Sequence, residues 1–284
     1  MTLSPDDDDR AHAALAEAYD HALALEKSGH LPEAATAWAR VLALDPADHG
    51  GAAVRLAALG AAEAPDRAPP AYVETLFDQH AEAFDEILVD RLGYDVPAAL
   101  TALLRDLAPA ERGLSVLDLG CGTGLMGLAL GDLAGHLTGV DLSEGMLERA
   151  DARGLYDQLY VGDAVAFLEA PADDDDGEVT GPWALICAAD VAPYLGDLTP
   201  LIRAAAANLT PGGRLALSTE TAEADALAGR PWFVGPDHRF HHAESHLHAA
   251  CAVAGLCVEA LAPAVIRREH GRPAPGHLLV ARRD

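Results

Sequence analysis

The first part of the chain carries apolar residues at the spacing of an amphipathic helix. Between residues 11 and 46, alanines and larger apolar residues recur with this period, and Ser28-Gly29-His30 interrupts them as a tight turn would. Pro46 follows the second run and would stop its helix. The pattern predicts a helical hairpin, followed by a further helix from Gly51 to Leu59.

From Leu114 onwards, short β-prone runs alternate with helical stretches. This alternation predicts βαβ units and a mostly parallel sheet with helices on both faces. The expected strands are Leu114–Leu119, Leu137–Val140, Leu159–Val161, Trp183–Ala188, Arg214–Ser218, Cys257–Leu261 and His277–Ala281. The sequence therefore predicts a doubly wound α/β fold with a seven-stranded sheet, preceded by a small all-α domain.

The change of pattern also predicts the domain boundaries. The stretch from Ala61 to Ala71 contains three prolines and is typical of a linker. We expect a helical domain over residues 10–62, a linker over 63–71 and the α/β domain over 72–284.

Composition and charge narrow the function. The chain has 284 residues and a formal net charge of −26, which would repel a phosphate backbone, so nucleic acid is not an expected partner. Its four cysteines form no CxxC pair, and the acidic N-terminus lacks the pattern of a signal peptide. No stretch has the character of a membrane span. We expect a reduced, cytoplasmic protein that does not interact with membranes.

A glycine-rich turn carries the strongest chemical signal. The sequence Val116-Leu117-Asp118-Leu119-Gly120-Cys121-Gly122-Thr123-Gly124 precedes an apolar helical run, so it is typical of a strand, a turn and a helix. Glycines allow close backbone approach to a ligand, and the helix start offers free N–H donors. The turn predicts a nucleotide-like cofactor. Glycine spacing alone also satisfies the dinucleotide pattern G-x-G-x-x-G through Gly127.

Three acids at strand ends favour one cofactor over the other. Asp118 precedes the glycines, where a carboxylate suits an ammonium group better than a pyrophosphate. Asp141 ends the next strand and could accept hydrogen bonds from ribose hydroxyls of either cofactor. Asp163 follows the third strand and could accept a hydrogen bond from the adenine amine. This set favours S-adenosylmethionine over a nicotinamide dinucleotide.

Together with the turn Pro211-Gly212-Gly213, these motifs resemble the class I S-adenosylmethionine-dependent methyltransferases over about Ala71 to Asp284. The resemblance implies a Rossmann-like sheet with one antiparallel strand, the cofactor at the carboxyl ends of the first strands, and a lid formed by helices within 72–108. The expected cofactor-binding residues are Tyr72, Phe77, Asp118, Gly120, Gly122, Gly124, Asp141, Leu142, Met146, Asp163 and Ala164. For Tyr72 and Phe77, core packing is an equal alternative.

The methyl acceptor would face the end of the fourth strand. The resemblance assigns Asp190 and Tyr194 to this position. The alternative interpretation is structural, with Asp190 capping the next helical segment and Tyr194 packing in the core. Adenine- and cytosine-amino methyltransferases carry an Asp or Asn followed by two prolines and an aromatic residue at this position. Here two residues, Val191 and Ala192, lie between Asp190 and Pro193, which argues against a nucleobase acceptor. Among the clustered histidines between residues 238 and 248, His242 is the favoured general base. Asp190 is the second candidate for this role. No metal site is expected.

The helical hairpin resembles one tetratricopeptide repeat. Gly29, Ala34, Trp38 and Pro46 fall at that family's offsets. Its join to the lid segment resembles bacterial predicted methyltransferases that carry such a repeat. A single repeat cannot bury its apolar face alone, so we expect it to pack on the next domain, on a second subunit or on a protein partner.

The predicted function is transfer of a methyl group to an oxygen or nitrogen of a small-molecule or protein-bound acceptor. An alternative is a cofactor-binding or inactive module that docks a protein partner through the helical repeat. A nicotinamide-dependent oxidoreductase fits poorly, because the predicted strands occupy the chain after Gly124 and leave no separate substrate domain.

Overall fold

The computed structural model describes residues 5–169, 181–269 and 271–284. The chain divides into two compact units, one reaching to Thr75 and including the segment Val234–Arg239, the other formed by Leu76–Phe233 and Phe240–Asp284. The boundary at Thr75 lies inside helix α4 (Pro70–Asp78). Helix α4 thus starts within the stretch that the sequence predicts as a linker.

The first unit contains the predicted helical hairpin. Helix α1 spans Pro5–Lys27, α2 spans Leu31–Leu44 and α3 spans Ala52–Ala58. The hairpin prediction is confirmed, including its turn at residues 28–30. These helices bury a core of their own, made of Ala18, Ala22, Ala34, Trp38, Val41, Ala52 and Leu56.

The second unit alternates strands and helices. After a 3₁₀ turn (Ala81–Ala83) and a π turn (Glu86–Arg91), its helices are α5 (Val96–Leu107), α6 (Leu125–Leu130), α7 (Glu144–Ala152), α8 (Ala164–Glu169), α9 (Thr199–Asn208), α10 (Ala224–Leu227) and α11 (Glu244–Ala254). Of the helices described, none combines the length and hydrophobicity needed to cross a bilayer.

The strands are β1 (Leu114–Leu119), β2 (Ala134–Asp141), β3 (Gln158–Val161), β4 (Trp183–Ala188), β5 (Leu209–Glu220), β6 (Trp232–Val234), β7 (Phe240–His242), β8 (Leu256–Glu269) and β9 (Arg272–Arg283). They form one sheet in the order β3-β2-β1-β4-β5-β7-β6, with β9 paired to β5 and β8 to β9. Strands β1 to β5 pair in parallel, and β9 runs antiparallel to β5.

The predicted mostly parallel α/β sheet is confirmed, but the prediction of seven strands is wrong. The described residues contain nine, because the region after β5 adds β6 and β7. Each of these strands has only three residues, too few to show the alternation by which a strand is recognised.

Alternate residues of the central strands point to opposite faces, which places a core on each side of the sheet. Leu117 and Ile186 pack with α8, α9 and α11 on one face, whereas their neighbours Val116 and Leu185 pack with α5 and α6 on the other. Each fully buried Leu or Ile contributes about 1.5–3 kcal/mol to folding. With both faces covered, the carboxyl ends of the strands are the natural position for a ligand.

Candidate active site

The glycine turn between β1 and α6 is built for close approach. Gly120, Gly122 and Gly124 have φ of 62°, 54° and 89°, a region that L side chains rarely adopt. A Cβ at Gly120 would lie 2.5 Å from Cγ2 of Val191, so that position tolerates no side chain. A Cβ at Gly122 would meet only Phe84, at 4.0 Å. The turn therefore has an open side at Gly122, as a bound cofactor requires.

Asp141 connects the end of β2 to the glycine turn. Its Oδ2 accepts a hydrogen bond from the Gly122 N–H at 2.8 Å, and its Oδ1 accepts one from the Ser143 N–H at 2.9 Å. Burial raises the pKa of this carboxyl, and the two N–H donors oppose the shift. A carboxylate offers about four acceptor positions, so both oxygens can still accept hydrogen bonds from ribose hydroxyls.

Asp118 is the most buried acid of the site. It has no exposed surface, and its Oδ2 accepts a hydrogen bond from the Tyr156 hydroxyl at 2.7 Å. Its Oδ1 has no hydrogen-bond partner among the described residues, and burial raises the pKa of this carboxyl to about 7. A buried polar atom without a partner is uncommon in folded proteins. An N–H donor from a cofactor ammonium group would satisfy it.

The raised pKa of Asp118 predicts a pH-dependent affinity for the cofactor. At a pH below about 7, the pKa of this carboxyl, the free protein holds it protonated, whereas a bound cation favours the ionised form. Binding at lower pH must therefore release a proton. We expect the affinity for S-adenosylhomocysteine, measured by calorimetry, to rise by up to about tenfold per pH unit between pH 5 and 7 and then to level off. In Asp118→Asn this dependence should disappear; an unchanged slope would contradict the role of Asp118.

The remaining predicted cofactor residues lie beside these acids. Asp163 is half-buried and caps α8, since its Oδ1 accepts a hydrogen bond from the Ala166 N–H at 3.0 Å. Leu142 and Ala164 are half-buried, while the side chain of Met146 is fully buried in α7. Contact of these residues with a cofactor remains a prediction.

Aromatic rings of the lid segment meet the loop that follows β4. The Phe77 ring lies 5.8 Å from the Phe84 ring and 5.4 Å from the Tyr194 ring, both edge to face. This arrangement is favourable for aromatic pairs. The predicted lid residue Phe77 is thus brought together with Tyr194, which sequence reasoning assigns to the acceptor side.

Two acids hold the lid segment against the cofactor loops. Asp78 accepts hydrogen bonds from the Ser143 hydroxyl and, at 3.4 Å, from the Gly145 N–H. Asp85 accepts a hydrogen bond from the Thr123 hydroxyl and pairs with Arg153, whose Nε donates to the Thr123 carbonyl. Asp78 and Asp85 belong to the predicted lid segment, but sequence reasoning missed their partners, because Asp85 and Arg153 lie 68 residues apart in the chain.

Tyr72 lies in the first unit rather than the second. Its ring packs on Gly51, where a Cβ would lie 2.7 Å from the ring atom Cδ2, and burial raises the pKa of its hydroxyl. This packing corresponds to the alternative that sequence analysis left open for Tyr72. Its contact with the cofactor stays a prediction.

The loop after β4 joins the parts of the site. Asp190 has a φ of 60°, and its N–H donates to the Ser218 hydroxyl at 2.9 Å. The next residue, Val191, packs on Gly120 of the glycine turn, and Tyr194 packs on the lid. Asp190 therefore lies between the glycine turn and the end of β5, with its side chain 14% exposed.

The ring of His242 is enclosed by other residues and not accessible to solvent. It has no exposed surface, and its Nε2–H donates to the Leu195 carbonyl at 2.8 Å. Burial lowers the pKa of the ring to about 4, so the ring is neutral near pH 7. A general base must reach the proton that it removes. The prediction that His242 is that base is not supported by this geometry, which instead gives the ring a role in holding the turn at Leu195.

Comparison with known families identifies the class of protein. A family described as "Methyltransferase domain" matches residues 92–261, which include the glycine turn, Asp141, Asp163 and Asp190. The chain belongs to this family. The predicted methyltransferase domain is thereby confirmed.

Individual relatives share a smaller part of the chain. The ubiquinone biosynthesis O-methyltransferase of Xanthomonas oryzae pv. oryzae (strain PXO99A) is 36% identical over 118 residues, 41% of this chain and 48% of that protein. The protein of the same name from Bordetella avium (strain 197N) is 30% identical over 116 residues, 41% of this chain and 46% of that protein. The chain thus spans about half the length of the curated relatives it matches.

A solved structure supports the fold. Burkholderia thailandensis 1,6-didemethyltoxoflavin-N1-methyltransferase, bound to 1,6-didemethyltoxoflavin and S-adenosylhomocysteine, matches with a TM-score of 0.54 and 17% identity. The match covers 78% of this chain and 93% of that chain. It supports the methyltransferase fold of the second unit.

Proposed function

We propose that the protein transfers a methyl group from S-adenosylmethionine to a hydroxyl oxygen of a small molecule. The observation that carries this proposal is the loop after β4, where Asp190 lies beside a residue that packs on the glycine turn, and Tyr194 packs on lid residue Phe77. An acceptor at this loop would be adjacent to a cofactor held by the glycine turn. The names of the relatives from Xanthomonas and Bordetella favour oxygen over nitrogen as the acceptor atom.

The residues around the cofactor turn fit S-adenosylmethionine. Asp118 offers a buried oxygen without a partner, and Gly122 leaves open space beside the turn. S-adenosylmethionine supplies a methyl group on a positively charged sulfur. In our proposal Asp118 accepts a hydrogen bond from the ammonium group, and Asp141 accepts hydrogen bonds from the ribose hydroxyls.

Asp190 is the proposed proton acceptor. The acceptor hydroxyl would give its proton to the Asp190 carboxylate as its oxygen takes the methyl group, and the S–C electron pair would remain on the sulfur that S-adenosylmethionine supplies. Asp190 then releases the proton to water, so a methyl ether, S-adenosylhomocysteine and one proton result. Alignment of the two reactants can supply about 7–11 kcal/mol of the acceleration. The ring cluster of Phe77, Phe84 and Tyr194 would limit access of water.

The first unit is part of this proposal. Its two-helix hairpin with buried Ala34 and Trp38 is consistent with one tetratricopeptide repeat. Such a repeat would dock a protein that carries the acceptor, or a second copy of the chain. We also propose that the protein is located in the cytoplasm.

Calorimetry with S-adenosylhomocysteine tests the cofactor assignment. We expect a micromolar dissociation constant, on the order of −8 kcal/mol, and no binding of NAD. Asp141→Ala removes the acceptor of the Gly122 and Ser143 N–H groups along with the ribose contacts, so it should weaken binding by about 100-fold. Asp151→Ala, an exposed acid on α7, is the matched control and should bind as the wild type does. Binding of NAD instead, or of neither ligand, would contradict the proposed function.

A further inference from the structure

A buried arginine lies behind the proposed acceptor loop. Arg267 is 4% exposed, and its Nη1 forms an ion pair with Glu220, which is fully buried. The same Nη1 lies 3.8 Å from Oδ1 of Asp190. Its Nε and Nη2 donate to Oε1 of Glu269 at 2.9 and 2.6 Å. One guanidinium therefore lies near three acids: Glu220 at the end of β5, Glu269 on its own strand β8, and Asp190 in the loop after β4.

The fold places this arginine across strand β9. Glu220 ends β5 and pairs with Gly276 of β9, which lies between β5 and β8. A Cβ at Gly276 would lie 2.0 Å from the Thr219 carbonyl oxygen and 2.4 Å from Cγ1 of Ile266, so the absence of a side chain lets β5 and the Ile266 side chain of β8 approach β9 closely at this point. Arg267, next to Ile266, can then reach the end of β5. The missing side chain thus allows the close strand packing across which Arg267 and Glu220 meet.

Stability alone gives a weak reason for this cluster. Desolvation of a buried ion pair offsets most of its attraction, and well-packed apolar residues often stabilise a fold as much or more. Asp190 also adopts a φ of 60°, a left-handed conformation that is unfavourable for a non-glycine residue. Both features lie at the loop where the proposed acceptor binds. Strain and buried charge held at one loop are typical of functional positions.

We propose that Arg267 is a positioning residue that orients the Asp190 carboxylate toward the hydroxyl of the acceptor. This inference rests on the proposed function. Glu220 holds the guanidinium from the side of β5, and the Ser218 hydroxyl fixes the backbone of Asp190. Arg267 itself does not touch the acceptor. Its loss should therefore impair proton transfer more than binding of either ligand.

The test compares four variants of the full chain. Arg267→Met removes the guanidinium, and Arg267→Lys keeps a positive charge. Arg267→Met alone would remove the guanidinium that pairs with the buried Glu220 carboxylate and could unfold the protein, so a double variant, Arg267→Met with Glu220→Gln, removes both charges. The matched control is Arg268→Met, whose side chain is exposed on the same strand.

Four quantities are measured for each variant: transfer of a labelled methyl group to catechol, affinity for S-adenosylhomocysteine, affinity of the S-adenosylhomocysteine complex for catechol, and the thermal unfolding midpoint. In the double variant we expect kcat to fall by about 10- to 100-fold, with KM and both affinities changed less than about threefold. Arg267→Lys should recover part of the rate. Arg268→Met should match the wild type in all four measurements.

Each other outcome overturns a defined statement. A double variant with unchanged kcat would overturn the positioning role and leave the proposed function intact. Parallel loss of stability, cofactor affinity and rate, without recovery in Arg267→Lys, would make Arg267 a structural residue only. Binding of S-adenosylhomocysteine by the wild type without methylation of catechol would contradict transfer to a phenolic hydroxyl, and with it the Asp190-assisted proton transfer on which the inference rests.

Discussion

Replacing Asp190 by asparagine is expected to lower kcat by about 100- to 10,000-fold, the contribution of a positioned general base. Asparagine has the same size as aspartate and tolerates the positive φ of 60° at this position. Its N–H can still donate to Ser218, so the loop should keep its shape. Its amide cannot take a proton. The measurement is the steady-state rate of methyl transfer to catechol at saturating cofactor and catechol.

The rival base supplies the control for this prediction. In His242→Gln the side-chain amide can still donate to the Leu195 carbonyl, as the ring Nε2–H does. Because the ring is buried and neutral, we expect kcat to change by less than about threefold. A large loss in His242→Gln together with near-normal turnover in Asp190→Asn would reverse the assignment of the base. Affinity for S-adenosylhomocysteine should be retained in both variants.

The parts of the site that sequence predicts are those encoded by neighbouring residues. The glycine turn, Asp141 and Asp163 each follow a strand directly, and parallel strands bring their carboxyl ends to one edge of the sheet. The positive φ of Gly120, Gly122 and Gly124 follows from the same local pattern. Local sequence therefore predicts the cofactor side of the site.

The acceptor side depends on pairs that are distant in the chain. Arg267 and Glu220 are 47 residues apart, and they meet across β9, which pairs with both of their strands. Asp85 and Arg153 are 68 residues apart, and neither has a spacing that points to the other. The type of a residue also does not indicate whether its side chain is buried. The sequence favours His242 because histidine side chains often transfer protons. In the structure this ring is buried, and burial lowers its pKa.

Replacing Trp38 by alanine is expected to destabilise the first unit by about 3–5 kcal/mol, the usual cost of removing a buried tryptophan. Trp38 is fully buried in the helical core. Its ring lies 5.2 Å from the Tyr19 ring, and the Arg55 guanidinium lies over it at 4.7 Å. Its Nε1–H donates to Oε2 of Glu26 at 2.6 Å. The variant therefore loses apolar burial and leaves Glu26 without this donor.

The destabilisation should extend to the segment Val234–Arg239, which belongs to the same unit. Glu26 also pairs with Arg55 and contacts His238 of that segment at 3.3 Å, so freeing Glu26 should loosen both. Hydrogen exchange should rise in α1 to α3 and in Val234–Arg239. Trp38→Phe keeps an aromatic ring but loses the hydrogen bond, and it should lower the free energy of unfolding by about 1–3 kcal/mol. Leu44 is exposed on α2, so Leu44→Ala should change this free energy little. Faster exchange in the helices with unchanged exchange in Val234–Arg239 would show that Glu26 does not hold this segment.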